Sequence, residues 1–256
     1  MFKEFNEKMS GAAKNKAGLL KASKGRYILS SMFAGAFIGV GILLTFIIGG
    51  NLSLAKSPYT TIITGISFSI ALSYVIFTGT ELFTGNNGVM MNGVLNGTVS
   101  HGDLWGVWIF SYIGNIIGSL LISAIFIGTG LCDKEPVRLF FENASKAKAG
   151  APFSQLLCRG ILCNFLVCLA VFMCAKCKNE VAKLILVIMC IYPFVTSGFE
   201  HSVANMTVYG VSIMHSGIAV SLSDAMKNLV PVTIGNVIGG AIVVGAGFYA
   251  LNGKEK

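Results

Sequence analysis

An acid and an imidazole lie side by side in one of the most apolar stretches of the chain. Glu200 and His201 occur in the segment SGFEHSVANM, and the nearest formal charges are Lys183 before them and Asp224 after them. Ionisable groups inside an apolar span are costly and usually serve a function. The imidazole can change its charge near neutral pH, so it could hold and release an anion or pass a proton to a weak-acid anion.

A second acid, Glu81, lies in a comparable setting, and Thr84 follows three residues later. We expect both acids to have a structural role. Each would pin a broken helix by accepting hydrogen bonds from loop backbone N–H groups or from the neighbours of His201. The hydroxyl of Thr84 could donate to an anion, orient His201 or cap a helix, and the residues alone leave these roles open.

The elements that must position these residues are membrane-spanning helices. The chain has 256 residues, of which 54% are hydrophobic and 12% are charged, whereas soluble proteins carry about 25% charged residues. A helix needs about 20 apolar residues to cross a bilayer. The long uncharged runs therefore predict six crossings, at 28–48, 58–96, 104–131, 152–176, 181–214 and 223–251.

The second and fifth crossings are too long for single helices and contain small and polar residues. Irregular backbone at membrane depth is tolerated only where protein buries it or where it lines a cavity. We therefore predict two broken helices, with half-helices that start near 86–88 and 203–205. Their N-terminal ends carry partial positive charge and favour an anion.

The two halves of the chain also resemble each other. Ile113-Gly114-Asn115 matches Ile234-Gly235-Asn236, and Gly79-Thr80-Glu81 matches Gly198-Phe199-Glu200, at offsets of 121 and 119 residues. Three crossings per repeat give the halves opposite orientations, which is typical of channels and transporters. The prediction is one transmembrane channel domain over 1–256, with repeat one at about 27–131 and repeat two at about 152–251.

Charge predicts the orientation of the chain. The first 26 residues hold seven Lys and Arg against two Glu, and Lys254 and Lys256 end the chain. We expect a basic amphipathic segment on the anionic inner leaflet and both termini in the cytoplasm. The basic loop between the third and fourth crossings is either a long loop translocated regardless of charge or an outer vestibule that gathers anions.

The remaining chemistry-bearing residues are cysteines and asparagines. The seven cysteines lie mostly in apolar runs, where cysteine behaves as a small hydrophobe. Cys174 and Cys177 form a lone C-x-x-C pair, so no metal site or cofactor is expected. Asn164 and Asn205 add neutral polar groups at membrane depth.

Three motifs closely resemble the formate/nitrite transporter family: ELFTG from Glu81, G-x-LCN-x-x-VCLA from Gly160, and SGFEHS-x-ANM from Ser197. The Ile-Gly-Asn-x-x-Gly repeats match as well. The resemblance implies a homopentamer of six-helix protomers with an aquaporin-like fold, each protomer having its own pore.

The resemblance also implies residue roles. His201 and Thr84 would face each other at the centre of the pore, with Asn164 and Asn205 as pore-lining polar groups. Lys16 and Lys148 would lie at the inner and outer mouths. The outer constriction would be formed by Leu82, Phe68 and Phe194, and the inner constriction by Leu72, Phe83 and Val167.

The function implied is passage of small monovalent weak-acid anions across a bacterial inner membrane, with membrane lipid as the surroundings. The chain looks closest to the hydrosulfide branch of the family, and formate or nitrite, possibly coupled to protons, is the alternative. An intramembrane hydrolase using Ser197 or Ser202 with His201 is a weaker rival, so no enzyme is expected. A water or neutral-solute channel is disfavoured because the chain lacks paired Asn-Pro-Ala motifs.

Overall fold

The computed structural model of the chain describes residues 2–251, and these residues form helices joined by short turns. Lys254 and Lys256, on which part of the expected orientation depends, lie outside the described residues. The first half contains α1 (Phe2–Ala22), α2 (Lys24–Leu54), α3 (Thr60–Thr78), α4 (Phe83–Leu95) and α5 (His101–Gly128). After a 3₁₀ turn, the second half contains α6 (Glu135–Gly150), α7 (Phe153–Lys176), α8 (Glu180–Thr196), α9 (Ser202–Met214), α10 (Leu222–Val237), a π-helix (Ile238–Ala246) and α11 (Gly247–Ala250).

Five of the described helices are long and apolar enough to cross a membrane: α2, α3, α5, α7 and the continuous segment formed by α10, the π-helix and α11. The sixth expected crossing consists of α8 and α9, which have 17 and 13 residues. Neither piece is long enough to span a bilayer alone. The fifth crossing of the sequence is therefore a pair of half-helices.

The helices pack as two related halves. Helix α2 packs against α3 and α5, and α7 packs in the same way against α8 and α10. The half-helices exchange between the halves, because α4 packs on α7 and the π-helix while α9 packs on α2 and α5. The two long broken segments meet where α3 packs on α8. This reciprocal packing is the arrangement of the inverted repeat inferred from sequence.

Each broken segment turns at a glycine. Gly79 ends α3 with φ +67° and Gly198 follows α8 with φ +73°. These left-handed backbone conformations are readily adopted by glycine and rarely by residues with a Cβ. The next residues are extended, and α4 and α9 then begin at Phe83 and Ser202. The backbone thus reverses at equivalent points in both halves.

The first break lies earlier than the polar run Gly85-Asn86-Asn87-Gly88 suggested. Helix α4 begins at Phe83, so this run is helical rather than irregular. Close packing explains it, because a Cβ at Gly88 would lie 3.0 Å from the Cys168 Sγ and 3.0 Å from the Gly240 carbonyl oxygen. Small residues of this kind let membrane helices approach closely. The expected start near 86–88 was therefore wrong for α4.

Two amphipathic helices cover the ends of the bundle. Helix α1 buries Phe5, Met9 and Ala13 against the protein and packs on α4 and α5. Helix α6 fills the basic segment between the third and fourth crossings and packs on α9 and α10. The two helices occupy equivalent places in the two halves, and each carries one lysine to the acid at a helix break.

Candidate functional site

The first break is fastened by Asn115 of α5. Its Nδ2 donates to the carbonyl oxygens of Ser31 at 2.7 Å and Glu81 at 3.0 Å. Its Oδ1 accepts from the backbone N–H of Phe83 at 2.9 Å. One buried amide thereby satisfies backbone groups on both sides of the break, which would otherwise be left unpaired at high cost inside a membrane.

The second break is fastened in the same way by Asn236 of α10. Its Nδ2 donates to the carbonyl oxygens of Gly160 at 2.8 Å and Glu200 at 2.9 Å, and its Oδ1 accepts from the N–H of Ser202 at 2.9 Å. Both asparagines belong to the repeated Ile-Gly-Asn motif. The sequence signal was present, but the motif alone did not reveal that it holds the breaks.

The Glu81 carboxylate is buried and fully engaged with side chains. It accepts from Lys16 Nζ at 3.0 Å, the Tyr27 hydroxyl at 2.9 Å and Asn86 Nδ2 at 2.9 Å. The expected basic residue at the inner mouth is therefore the ion-pair partner of the acid at the first break.

The Glu200 carboxylate has an equivalent set of partners. Lys148 Nζ lies 2.9 Å from both of its oxygens, Asn205 Nδ2 donates at 2.6 Å and Asn228 Nδ2 donates at 3.4 Å. We expected backbone N–H groups or neighbours of His201 as donors. All of these donors to the carboxylate are side chains, and two of them come from other helices.

His201 and Thr84 meet between the two half-helices. The Nε2 of His201 lies 2.9 Å from the Thr84 Oγ1, and its Nδ1 accepts from the backbone N–H of Ala204 at 3.0 Å as the N-cap of α9. Because an acceptor nitrogen carries no hydrogen, these contacts assign the neutral imidazole with its hydrogen on Nε2. Nε2–H then donates to Thr84, which leaves the threonine hydroxyl hydrogen free to donate elsewhere.

Two separate cavities approach this pair. The Lys148 cavity, of about 140 Å³, is lined by Lys148, Glu200, His201 and Asn205, and by aromatic residues. The Lys16 cavity, of about 270 Å³, is lined by Lys16, Asn86 and Leu82 among others. The described residues include none that lines both, so a wall of protein separates the two cavities.

The apolar residues expected at the constrictions divide between these cavities. Phe68 and Phe194 line the Lys148 cavity and pack edge to face, with ring centroids 5.7 Å apart. Leu72 lines the Lys16 cavity, and so does Leu82, which the resemblance had placed with the outer group. Leu82 lies on this side because it is the extended residue before α4, at the place that His201 holds before α9.

Three expected site residues line neither cavity. Phe83 packs against Tyr112 with centroids 4.8 Å apart, and Val167 is buried. Asn164 donates to the carbonyl oxygens of Thr84 at 3.1 Å and Asn236 at 2.6 Å. Asn164 therefore ties α7 to the centre of the molecule.

The hydrolase alternative lacks its geometry. Both ring nitrogens of His201 are engaged by Thr84 and Ala204, and the Ser202 Oγ has no hydrogen-bond partner among the described groups. A serine nucleophile needs a hydrogen-bonded base. The described residues also contain no group of three or more His, Cys, Asp or Glu placed to hold a metal ion.

Several residues at the site were not found from sequence. Tyr27 and Asn228 bind the two acids, Thr45 lines the Lys148 cavity and Lys183 lines the Lys16 cavity. Asn86 and Asn205 are 119 residues apart, as Glu81 and Glu200 are, and this repeat offset could have identified Asn86. Tyr27 and Thr45 lie in an apolar helix with no distinguishing pattern.

Comparison with known proteins agrees with this architecture. A sequence model described as Formate/nitrite transporter matches residues 3–250. The chain is 36% identical over 248 residues to the uncharacterized transporter YwcJ of Bacillus subtilis, covering 96% of each chain. It is 35% identical over 250 residues to the nitrite transporter NirC of Escherichia coli, covering 96% of this chain and 91% of that one.

Two solved structures are also similar. A protein named FNT family ion channel superposes with a TM-score of 0.90 at 33% identity, covering 97% of this chain and 99% of the other. A pentameric formate channel with formate bound superposes with a TM-score of 0.79 at 28% identity, covering 91% and 98%. The reciprocal half-helices, the paired cavities and the full-length sequence match agree, and the chain belongs to the formate/nitrite transporter family.

Proposed function

We propose that the chain is a channel that passes small monovalent anions of weak acids across a bacterial inner membrane. The observation that carries the proposal is the pair of equivalent cavities, each with a lysine–glutamate pair, that meet at the His201–Thr84 hydrogen bond. The N-terminal ends of α4 and α9 converge at the same place. Their partial positive charges favour an anion there.

The cavities reduce the cost of removing water from the anion. A bare anion between apolar walls carries a large desolvation penalty. Lys16 and Lys148 are each paired with a glutamate, so each mouth offers ammonium N–H groups without an isolated buried charge. Such a site can take an anion weakly enough to release it again, as conduction requires.

The hydrogen bonds of His201 support a donor role rather than a proton-transfer role. Protonating the imidazole would place a hydrogen on Nδ1, facing the N–H of Ala204 that it now accepts. The charged form would therefore require the N-cap of α9 to open. In the closed arrangement, the Thr84 hydroxyl hydrogen can be donated to a passing anion while its oxygen accepts from His201.

Hydrosulfide is our first candidate substrate, because the motifs are closest to that branch of the family. Nitrite and formate form the second candidate, favoured by the names of NirC and of the formate channel among the similar proteins. A proton-coupled mode belongs to this second candidate. All three anions have one negative charge and few atoms, which suits a cavity of about 140 Å³.

We also propose that the chain assembles as a homopentamer with both termini in the cytoplasm. One structural relative is a pentameric formate channel. Rows of exposed apolar side chains on α3, α5 and α8 provide surface for lipid and for neighbouring protomers. The basic first 26 residues support the cytoplasmic location of the N-terminus.

Anion flux into proteoliposomes tests the function. Hydrosulfide, formate, nitrite and chloride would be compared for the wild type, His201→Phe, His201→Asn and the control His215→Asn. His215 lies at the other end of α9 and lines neither cavity. We expect both His201 variants to lose about tenfold in weak-acid anion flux, as one charge-assisted hydrogen bond predicts. Unchanged fluxes and pH profiles in both variants would overturn the central role of His201.

A further inference from the structure

Thr45 of α2 is a buried hydroxyl residue beside the site with no structural bond of its own. It lines the Lys148 cavity and is 4% exposed. Its Oγ1 has no hydrogen-bond partner among the described groups. A buried hydroxyl without a partner is unfavourable, so this side chain would gain from a ligand that accepts its hydrogen.

Other buried hydroxyls on the membrane helices behave differently. Ser31, Thr64 and Ser111 donate to the carbonyl oxygens four residues earlier, at 2.9, 2.8 and 2.6 Å. That bond is the ordinary way for a helical hydroxyl to be satisfied in an apolar setting. Thr45 does not make it, so its hydroxyl remains available beside the cavity.

The other polar groups of the Lys148 cavity are largely occupied. Both nitrogens of His201 have partners, and Asn205 Nδ2 donates to Glu200 and Asn228. Lys148 places its ammonium against both Glu200 oxygens. Since an ammonium has three hydrogens, at least one N–H of Lys148 remains for a ligand.

The size of the cavity limits what can be held there. About 140 Å³ is the volume of about five waters in the liquid. A small anion in this space keeps few waters of its own and depends on the lining groups for hydrogen bonds. The two donors still available are the Lys148 ammonium and the Thr45 hydroxyl.

We infer that Thr45 is a selectivity residue of the Lys148 cavity, where its hydroxyl donates to an anion that Lys148 attracts. The inference rests on the proposed function, because it concerns the anion that the channel passes. Oxyanions such as formate accept a hydroxyl hydrogen more strongly than hydrosulfide does, since oxygen is the stronger acceptor. Thr45 therefore favours oxyanions over hydrosulfide.

The equivalent position of the other half supports a one-sided role. Cys174, 129 residues after Thr45, lines the Lys16 cavity, and its thiol donates to the Lys183 carbonyl oxygen at 3.7 Å. A thiol is a weak donor, and this one already has a partner. The equivalent positions thus give a free hydroxyl to one cavity and an occupied thiol to the other.

The test compares initial rates of formate and hydrosulfide entry into proteoliposomes. Thr45→Val removes the hydroxyl and keeps the shape, Thr45→Ala removes it with less bulk, and Thr45→Ser keeps it. Thr207→Val is the matched control, because the Thr207 Oγ1 is also buried without a partner but Thr207 lines neither cavity. Size-exclusion chromatography would establish that each variant assembles like the wild type.

We expect Thr45→Val and Thr45→Ala to lower the formate-to-hydrosulfide rate ratio about fivefold, the effect of losing about one hydrogen bond. Thr45→Ser should stay close to the wild-type ratio, and Thr207→Val should match it. An unchanged ratio in both variants without the hydroxyl, or the same shift in Thr207→Val, would overturn the inference while the wild type still conducts. A wild type that passes no anion would overturn the proposed function together with it.

Discussion

The Lys16 cavity and the Lys148 cavity are built from equivalent positions but differ in character. Residues of the first broken segment that line one cavity have counterparts 119 residues later that line the other, including Gly79 with Gly198 and Asn86 with Asn205. The volumes nevertheless differ, at about 270 and 140 Å³. The backbone symmetry is therefore kept while the two spaces have diverged.

The difference in volume comes from aromatic side chains. Phe46, Phe194 and Phe199 line the Lys148 cavity where Ala175, Val75 and Thr80 line the other. By contrast, the asparagine and the acid that hold each break are identical in the two halves. Residues that fix the backbone thus match, and residues that face the cavities differ.

The centre of the molecule gives the same lesson. Leu82 and His201 are both the residue before a half-helix, and only His201 caps its helix through a side chain. The symmetric frame supplies two equivalent positions, and one of them carries the titratable group.

The largest expected effect comes from removing either acid. Glu200→Ala leaves Lys148 without its partner, and Glu81→Ala does the same to Lys16, so each should lose about 3 kcal/mol of stability. Thermal unfolding of the purified protein in detergent would measure the loss. The double variant Glu200→Ala with Lys148→Ala should recover part of it. Two single variants that differ greatly in stability would show that the acids are not equivalent.

A smaller effect is expected at the helix starts that follow each half-helix. Ser100 and Ser221 accept from the N–H groups of Asp103 and Asp224 at 3.1 and 3.2 Å, and each aspartate bonds back to its serine. Replacing either serine by alanine should cost about 1 kcal/mol.

The same unfolding measurement applies, with Ser67→Ala as the control, because the Ser67 hydroxyl donates only within its own helix. Equal losses would support equivalent capping in the two halves. A loss at one position only would mean that the surrounding packing, rather than the capping box, determines the stability of that helix.

The smallest effect concerns Lys183, which lines the Lys16 cavity and pairs with the exposed Glu180 at 2.8 Å. The Lys148 cavity has no second lysine among its described lining residues. Lys183→Gln should lower anion flux about threefold at low salt, equal to about 0.7 kcal/mol. The reduction should disappear at about 1 M salt, where the Debye length is about 3 Å.

Lys227→Gln is the matched control, because Lys227 also pairs with an acid three residues earlier but lines neither of the two cavities. A flux reduction of the same size in both variants would assign the effect to net charge. An effect of Lys183→Gln that persists at high salt would point to a direct contact with the anion.

The sequence predicted the features that stand out against an apolar background. Glu81, Glu200 and the two Ile-Gly-Asn motifs interrupt long uncharged runs at matching intervals, so the two breaks and the inverted repeat could be inferred. The family resemblance located His201 and Thr84, which the structure brings together at 2.9 Å.

Long-range pairing could not be read in this way. Lys16 and Lys148 are 65 and 52 residues from the acids they bind, and a single sequence does not reveal such partners. The asparagines of the GNNG run looked like a break because polar residues are rare in buried helices, whereas tertiary contacts satisfy them. The side on which Leu82 lies depends on the exact residue where α4 begins.

The lysine–glutamate pairs have a consequence for the synthesis of the protein. The Glu81 carboxylate finds all of its described partners between Lys16 and Asn86, and the described partners of Glu200 lie between Lys148 and Asn228. Each half can therefore enter the membrane with its buried acid already neutralised, before the other half has been made. The His201–Thr84 bond must wait, because it joins two halves that are electrically complete but unable to conduct separately.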